Sequence, residues 1–267
     1  MINDTTNDCF LLCPPDYFRI DYCINPWMTD LPVDPNIALT QWLDLVLQIQ
    51  KLGGTVKTIK PTSNLPDMVF TANCGTVNKN TVVLSNMKHV ERQGEKKHFS
   101  AWFKHNGYDV VELIPGAIFE GCGDAVVIGD NLIGGYGFRS NLLGLEIAAA
   151  SFGLNLISLK LKDPRFYHLD TCFCKISNTH AIYFPGAFED GEINKLKNII
   201  NLIPVSEKDA RSFMCNSMLV NDTLLIPAMD TEIESILKAQ HGIKTRYVGV
   251  EEFLKSGGSI QCLCLKL

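Results

Sequence analysis

The chain has 267 residues, of which 46% are hydrophobic, and this is enough apolar material for a sizeable core. With 24 Lys and Arg against 29 Asp and Glu, its net charge is −5, which gives it no general attraction for nucleic acid or acidic lipid surfaces. We therefore expect a small-molecule partner, no nucleic acid and no membrane, and homo-oligomerisation stays open.

The first residues, Met1 to Thr5, lack the basic and apolar regions of a secretory signal, and no apolar run could cross a bilayer, so a cytoplasmic location is expected. The ten cysteines lie in apolar runs such as Cys172 to Cys174 and Cys262 to Cys264, which favours buried thiols over disulfides. These pairs lack the second ligand pair typical of zinc sites, so we expect no metal.

The first predicted elements are a strand over Phe10 to Cys13 and a helix that begins after Asp34 as N-cap, with Pro35 at its first position. The apolar face of this helix is Trp42, Leu45, Val46 and Ile49.

A complete unit follows, with a strand from Met68 to Val77, a turn at 78–80 and a returning strand from Thr81 to Met87. Phe99, Trp102 and Phe103 then recur at helical spacing, Asn106-Gly107 ends the helix, and a third strand runs from Tyr108 to Ile114.

The same order of strand, strand, helix and strand recurs from Ala125, with helix 140–152 and strand 155–161. A third copy starts at Leu169 and has its helix near 191–201, and a fourth starts at Ser217 and has its helix at 231–240. The fifth copy is split, because the C-terminal strand 258–267 must pair with Phe10 to Cys13. The pattern predicts a single domain over residues 1–267, a five-bladed pseudo-symmetric α/β propeller with ββαβ modules around a central axis. A three-layer α/β sandwich is the alternative.

Polar side chains recur at comparable points of these apolar units. They are Asn73, Glu120, Asp124, His168, Asp170, Asn216 and Cys262. Burying an unpaired polar group costs about 1–3 kcal/mol, and in a ring these positions converge on the axis, so one shared pocket is predicted. Each also has an ordinary explanation: Cys262 as a small buried hydrophobe, Glu120 and Asp124 as caps of a glycine turn, and His168 as a core histidine.

This combination suits attack on a guanidinium carbon, which resonance and positive charge deactivate. Such attack needs a thiolate, carboxylates that hold the planar cation, and an acid that protonates the departing amine. Histidine suits the last role because its pKa lies near neutrality. The residues therefore predict a hydrolase with Cys262 as its nucleophile.

At these residues the sequence resembles the guanidino-group-modifying superfamily, the penteins, over nearly the whole chain. The segment Gly257-Gly258-Ser259-Ile260-Gln261-Cys262 matches the family's nucleophile segment, and His168 and Glu120 match its catalytic histidine and carboxylate. The resemblance implies a cysteine-dependent amidine hydrolase of arginine metabolism that uses no cofactor.

Further matches favour arginine dihydrolase within this amidinotransferase-like superfamily. They are Cys13-Pro14-Pro15-Asp16, Ile24-Asn25-Pro26-Trp27-Met28 and Asp67-Met68-Val69-Phe70-Thr71-Ala72-Asn73. The resemblance implies that Asn25 and Asn73 contact the guanidine and that Arg92 and Arg139 bind the substrate carboxylate. The pattern of polar residues at the axis places Asp124 and Asp170 in the substrate site. For the two arginines, the alternative interpretation is a solvated surface charge.

The expected reaction takes arginine through a covalent Cys262 adduct to citrulline and then to ornithine, carbon dioxide and ammonia. The alternative is an arginine deiminase or a dimethylarginine dimethylaminohydrolase that stops at citrulline. A non-catalytic propeller binding protein is the remote alternative, because the retained cysteine, histidine and glutamate argue for an enzyme.

Overall fold

A computed structural model describes residues 8–267. In this part of the chain, five three-stranded sheets each combine one antiparallel and one parallel pairing around a central strand. The 3₁₀ turns that precede four of the inner strands contact one another in order, and the strand Leu265–Lys266 contacts both the first of these turns and the strand Gly75–Asn78. The predicted five-bladed α/β propeller is therefore confirmed.

Fifteen strands are described, in sheet orders β15-β1-β2, β3-β4-β5, β6-β7-β8, β9-β10-β11 and β12-β13-β14. Their bounds are β1 Cys9–Leu12, β2 Thr55–Thr58, β3 Gly75–Asn78, β4 Thr81–Leu84, β5 Asp109–Val111, β6 Ala125–Ile128, β7 Asn131–Tyr136, β8 Asn155–Lys160, β9 Phe173–Lys175, β10 His180–Tyr183, β11 Asn201–Pro204, β12 Met218–Val220, β13 Thr223–Ile226, β14 Lys244–Tyr247 and β15 Leu265–Lys266.

The described α-helices are α1 Pro35–Lys51, α2 Val90–Gln93, α3 Lys96–His105, α4 Leu142–Phe152, α5 Glu207–Arg211, α6 Glu232–His241 and α7 Glu251–Leu254. The predicted N-cap of α1 is confirmed, because the Asp34 carboxylate accepts from the backbone N–H groups of Asn36 and Ile37. At the C-terminal end of helix α4, Gly153 adopts φ +65°, as a left-handed C-cap requires.

The split fifth unit is also confirmed, because β1 pairs with β15 through Phe10 opposite Lys266 and Leu11 opposite Leu265. Four apolar clusters fill the spaces between the sheets and helices. One of them packs Trp42, Leu45 and Ile49 of α1 against the strands and the C-terminal segment. Closing the last sheet from both chain ends thus places the C-terminal segment against the axis.

Three predicted elements are wrong in extent. Two of them lie near the axis, and their differences have the same cause. The predicted strand from Met68 is two short 3₁₀ turns, Pro66–Val69 and Thr71–Cys74, before β3 begins. Likewise the C-terminal strand is confined to β15, and the segment before it turns. Alternation along a strand would send successive side chains to opposite faces, whereas tight turns aim several polar groups at the axis.

The third difference lies in the third unit, where an α-helix was expected near 191–201. The structure has only a 3₁₀ helix, Glu192–Leu196, which follows Gly191 in a left-handed conformation. The chain continues through an irregular turn at 197–199 and begins the parallel strand β11 at Asn201.

Candidate active site

The predicted nucleophile lies in a buried turn that one asparagine side chain holds. Asn216 Oδ1 accepts from the backbone N–H groups of Ser259 and Cys262, each at 3.2 Å. The amide nitrogen of the same Asn216 donates to the Asp170 carbonyl at 3.0 Å and lies 3.2 Å from Cys262 Sγ. Cys262 is only 2% exposed. Asn216 therefore fixes both the backbone and the thiol of the nucleophile segment.

A carboxylate lies against this thiol, because Cys262 Sγ is 3.3 Å from Asp170 Oδ2. Burial raises the pKa of the Cys262 thiol well above its usual range, and the negative charge of Asp170 raises it further. Burial also raises the pKa of Asp170 to about 6, against the opposing charge of His168. In the arrangement seen, burial and the neighbouring Asp170 favour the protonated thiol of Cys262.

His168 and Glu120, predicted to act as an acid–base pair, lie in contact, with His168 Nε2 at 2.7 Å from Glu120 Oε2. Arg139 Nη1 donates to the same Glu120 oxygen at 2.9 Å, and the Lys88 backbone N–H donates to the other. Burial alone would raise the pKa of Glu120, but the hydrogen bond from His168 and the charge of Arg139 hold that pKa well below its usual range. Glu120 is therefore an ionised group that fixes the ring of His168.

The glycine turn 121–123 brings Glu120 to the axis. Gly121 has φ +60°, and a Cβ there would lie 2.6 Å from the backbone of Gly75. A Cβ on Gly123 would lie 2.3 Å from Asn73 Nδ2 and 3.2 Å from His168 Nδ1. Only glycine permits this approach of the turn to the two side chains.

Both arginines are buried, so the alternative interpretation as solvated surface charges is wrong. Arg92 forms a bidentate pair with Glu95, at 2.8 and 2.9 Å, and donates to Asn73 Oδ1 at 2.9 Å. Arg139 donates to Glu120 and to the carbonyl of Ile24, and its guanidinium stacks 4.7 Å from the ring centroid of Tyr167. Because more of its N–H groups remain unpaired, Arg139 has more capacity to bind a carboxylate.

Asn25 and Asn73 both line the small cavity beside Cys262. Asn25 Oδ1 accepts from the backbone of Trp27 and Met28, and its nitrogen donates to the Ser256 carbonyl, so its amide largely serves to hold its own loop. Asn73 Nδ2 has no hydrogen-bond partner within residues 8–267. Of the two amides, Asn73 is therefore the one available to a ligand.

Asp124, predicted to lie in the substrate site, does not line this cavity. Its Oδ1 accepts from the backbone N–H of Leu169, and its Oδ2 accepts from both the N–H and the hydroxyl of Ser140. Since both oxygens are occupied, the structure assigns it to joining neighbouring units. The sequence predicted a buried carboxylate at Asp124 but not its hydrogen-bond partners.

Two residues at the cavity were not assigned from the sequence. The first is Asp67, whose Oδ2 accepts from the Tyr22 hydroxyl at 2.9 Å and whose Oδ1 has no partner among the described residues. The second is Tyr167, whose hydroxyl donates to the Gly257 carbonyl at 2.8 Å. Asp67 lies in the segment 67–73, which carries the family resemblance. An acidic residue in the same apolar segment as Asn73 was therefore a signal that could have identified it.

The cavity beside Cys262 has a volume of only about 10 Å³, roughly the space of one water. The loop that carries Asn25 closes it, because Ile24 binds Arg139 and Asn25 binds Ser256. Trp27 extends this closure through its indole N–H, which donates to the Arg165 carbonyl. A cavity of this size does not hold an amino acid, so substrate entry requires its walls to move, and this loop, residues 22–30, is part of those walls.

All ten cysteines lie in the described part of the chain and none is paired, which agrees with the prediction of free thiols. Within residues 8–267, no group of three or more His, Cys, Asp or Glu is arranged to hold a metal ion. No helix in the same range is long and apolar enough to span a membrane.

A thiol, an imidazole–carboxylate pair and buried arginines on one propeller axis define a pentein-type site, and the sequence comparisons specify the family. The profile described as "N,N dimethylarginine dimethylhydrolase, eukaryotic" matches residues 19–267. The N(G),N(G)-dimethylarginine dimethylaminohydrolase of Mycobacterium tuberculosis is 35% identical over 97% of this chain and 85% of its own length. The chain belongs to the dimethylarginine dimethylaminohydrolase family.

A second group of relatives is bifunctional. The arginine dihydrolase/ornithine cyclodeaminase ArgZ of Synechocystis sp. is 42% identical over 96% of this chain. This chain spans only 37% of the length of that relative. The crystal structure of the N-terminal domain of ArgZ, a Cys-to-Ser mutant bound to substrate, superposes with a TM-score of 0.93 at 41% identity, over 97% of this chain and 98% of that one. A further structure of that domain carries a covalently bound reaction intermediate.

Proposed function

We propose that this chain is an arginine dihydrolase, which converts arginine to ornithine, carbon dioxide and two ammonia molecules through covalent adducts on Cys262. The observation that carries the proposal is the contact of Cys262 with Asp170 and Asn216 beside the His168–Glu120 pair. Similarity to the ArgZ domain, an arginine dihydrolase, supports the choice of reaction.

In the first step, the guanidinium of arginine enters next to Cys262 Sγ. A cation at that position favours the thiolate over the thiol and so offsets the raised pKa of Cys262. Sγ loses its proton to His168 and attacks the guanidine carbon, and His168 then donates that proton to the departing nitrogen, which leaves as ammonia as its C–N bond breaks. Glu120 stabilises the protonated imidazole, because its carboxylate lies 2.7 Å from His168 Nε2.

In the second step, His168 accepts a proton from water, and the resulting hydroxide adds to the carbon of the thiouronium adduct. The thiolate of Cys262 is expelled and citrulline is left. A second cycle on the ureido group consumes another water and releases the remaining ammonia, carbon dioxide and ornithine. No resident metal or cofactor takes part in either cycle.

At the amino-acid end, we propose that Arg139 binds the α-carboxylate and Asp67 binds the α-ammonium group. Arg139 has unpaired N–H groups and Asp67 Oδ1 has no partner in the described chain, so both groups have capacity for a ligand. Arg92 holds Asn73 in place through its 2.9 Å hydrogen bond, and its remaining bonds go to Glu95 and the Asp67 carbonyl.

Asn73 distinguishes the two candidate reactions. Its neutral amide can accept from a guanidinium and can donate to the oxygen of a ureido group, whereas an ionised carboxylate can only accept. The second candidate, a dimethylarginine dimethylaminohydrolase that stops at citrulline, is favoured by the family profile and the Mycobacterium tuberculosis relative.

The test is a time course of citrulline and ornithine from arginine, with dimethylarginine as a parallel substrate. The wild type should form ornithine, and Asn73→Asp should accumulate citrulline while ornithine formation is lost. The variant Asn198→Asp, at an exposed turn residue that lines neither cavity, is the matched control and should behave as wild type. A wild type that makes only citrulline would rule out the dihydrolase proposal.

A further inference from the structure

A second and much larger cavity lies at the opposite end of the axis, and we call it the far basin. Its volume is about 850 Å³, within the range of ligand pockets. The inner strands β3, β6, β9, β12 and β15 all contribute to its wall. Exposed lysines, Lys79, Lys244 and Lys266, stand among its lining residues, so the basin reaches the protein surface.

Only a thin wall separates the far basin from the nucleophile. The turn 121–123 forms part of this wall: Cys122 lines the far basin, and its thiol lies 3.6 Å from the Thr76 hydroxyl. The next residue, Gly123, lies against His168 Nδ1 and Asn73 Nδ2 on the active-site side. At this point, the wall is a single stretch of glycine-flanked backbone.

Asp170 forms another part of the wall and contacts both sides. It lines the far basin, while its Oδ2 touches Cys262 Sγ at 3.3 Å. Its Oδ1 is buried and has no hydrogen-bond partner within residues 8–267. Leaving a buried carboxylate oxygen unpaired is costly, so this atom has capacity for a hydrogen bond from a small molecule such as water.

On the active-site side, the space next to Cys262 is far smaller than the far basin. The cavity there is about 10 Å³, and the loop 22–30 covers it. Once arginine has formed its adduct, the substrate itself fills this side. The hydrolytic water must still reach the carbon, and ammonia must leave. These are small polar molecules that a narrow passage can admit.

We propose that the far basin is the route by which water enters and ammonia leaves during turnover, through the wall formed by Asp170 and the turn 121–123. This inference rests on the proposed covalent mechanism and adds a path to it. The balance of the step is unchanged: water adds to the thiouronium carbon, one proton passes to His168, and the C–S bond to Cys262 breaks. Asp170 Oδ1 receives the incoming water at the wall.

The experiment is a size series at Cys122, which touches neither Cys262 nor His168. Cys122→Leu and Cys122→Phe add increasing volume on the basin side of the wall, and Cys122→Ser, which adds none, is the control. Rapid quenching after mixing with arginine, followed by mass measurement of the intact protein, gives the rates of adduct formation and adduct hydrolysis separately. Urea unfolding checks that each variant is folded, and the leucine variant carries the test if the phenylalanine variant does not fold.

We expect adduct hydrolysis to match wild type in Cys122→Ser and to slow about 10-fold or more in the larger variants, with adduct formation and KM within about two-fold. Adduct hydrolysis at the wild-type rate in both larger variants would overturn the route. Equal slowing of formation and hydrolysis would also overturn it, because that result indicates a distorted site. A wild type that forms no adduct would refute the proposed function itself, and the route with it.

Discussion

Removal of the Asn216 side chain tests how the nucleophile segment is held. Asn216 is fully buried, and its amide serves two backbone N–H groups, of Ser259 and Cys262, and the backbone carbonyl of Asp170. The variant Asn216→Ala removes all three hydrogen bonds and offers no replacement partner. The structure therefore predicts a loss of both stability and activity.

The magnitude follows from the groups left unpaired. Each buried donor or acceptor that loses its partner costs about 1–3 kcal/mol, so three such groups cost at least about 3 kcal/mol in the absence of relaxation. A loss of about 3–5 kcal/mol is expected, which is a large part of the 5–15 kcal/mol typical of a domain. Adduct formation should fall as well, because Cys262 Sγ loses its 3.2 Å contact with the amide.

Urea unfolding of wild type and variant, followed by far-UV circular dichroism, measures the change. The matched control is Asn178→Ala, on the exposed turn between β9 and β10, which should change stability by less than about 0.5 kcal/mol. If the free energy of unfolding of Asn216→Ala were less than about 1 kcal/mol below that of wild type, the three hydrogen bonds would not be what holds the nucleophile segment.

Three further predictions concern the thiol, the neighbouring carboxylate and the substrate carboxylate. Cys262→Ser should abolish turnover and keep the fold, whereas Cys264→Ser should remain active; the reverse pattern in an ammonia-release assay would contradict the nucleophile assignment. Because burial raises the pKa of Asp170 from its usual 3.8 to about 6 in the folded state, the folded state loses stability as pH rises between these two values. Asp170→Asn should thus raise the unfolding free energy at pH 8 by up to about 3 kcal/mol, and the gain should shrink to well under about 1 kcal/mol near pH 4; urea titrations at both values that show a constant difference would refute this origin. Agmatine, which lacks the carboxylate assigned to Arg139, should have a kcat/KM at least about 10-fold below that of arginine, and equal values would argue against the assignment.

The sequence by itself determined the order of the units and the chemistry of the site. Hairpin turns, glycine and asparagine stops and helical spacing recur along the chain, and each depends on local backbone preferences that a short segment expresses without its neighbours. The C-terminal apolar strand required a partner near Phe10, and the structure supplies that pairing. The thiol, imidazole and carboxylate at matching points of these units similarly pointed to a shared pocket.

Only the tertiary structure decided which polar groups meet. Asp124 and Asp170 look alike in sequence, yet one is saturated by Ser140 and Leu169 while the other touches Cys262. The same holds for Asn73, whose partner Arg92 comes from helix α2, two strands further along the chain. The short 3₁₀ turns at the axis and the far basin also exist only because five units close on one another. Distances between segments far apart in the chain depend on how the units pack, and local sequence preferences do not contain that information.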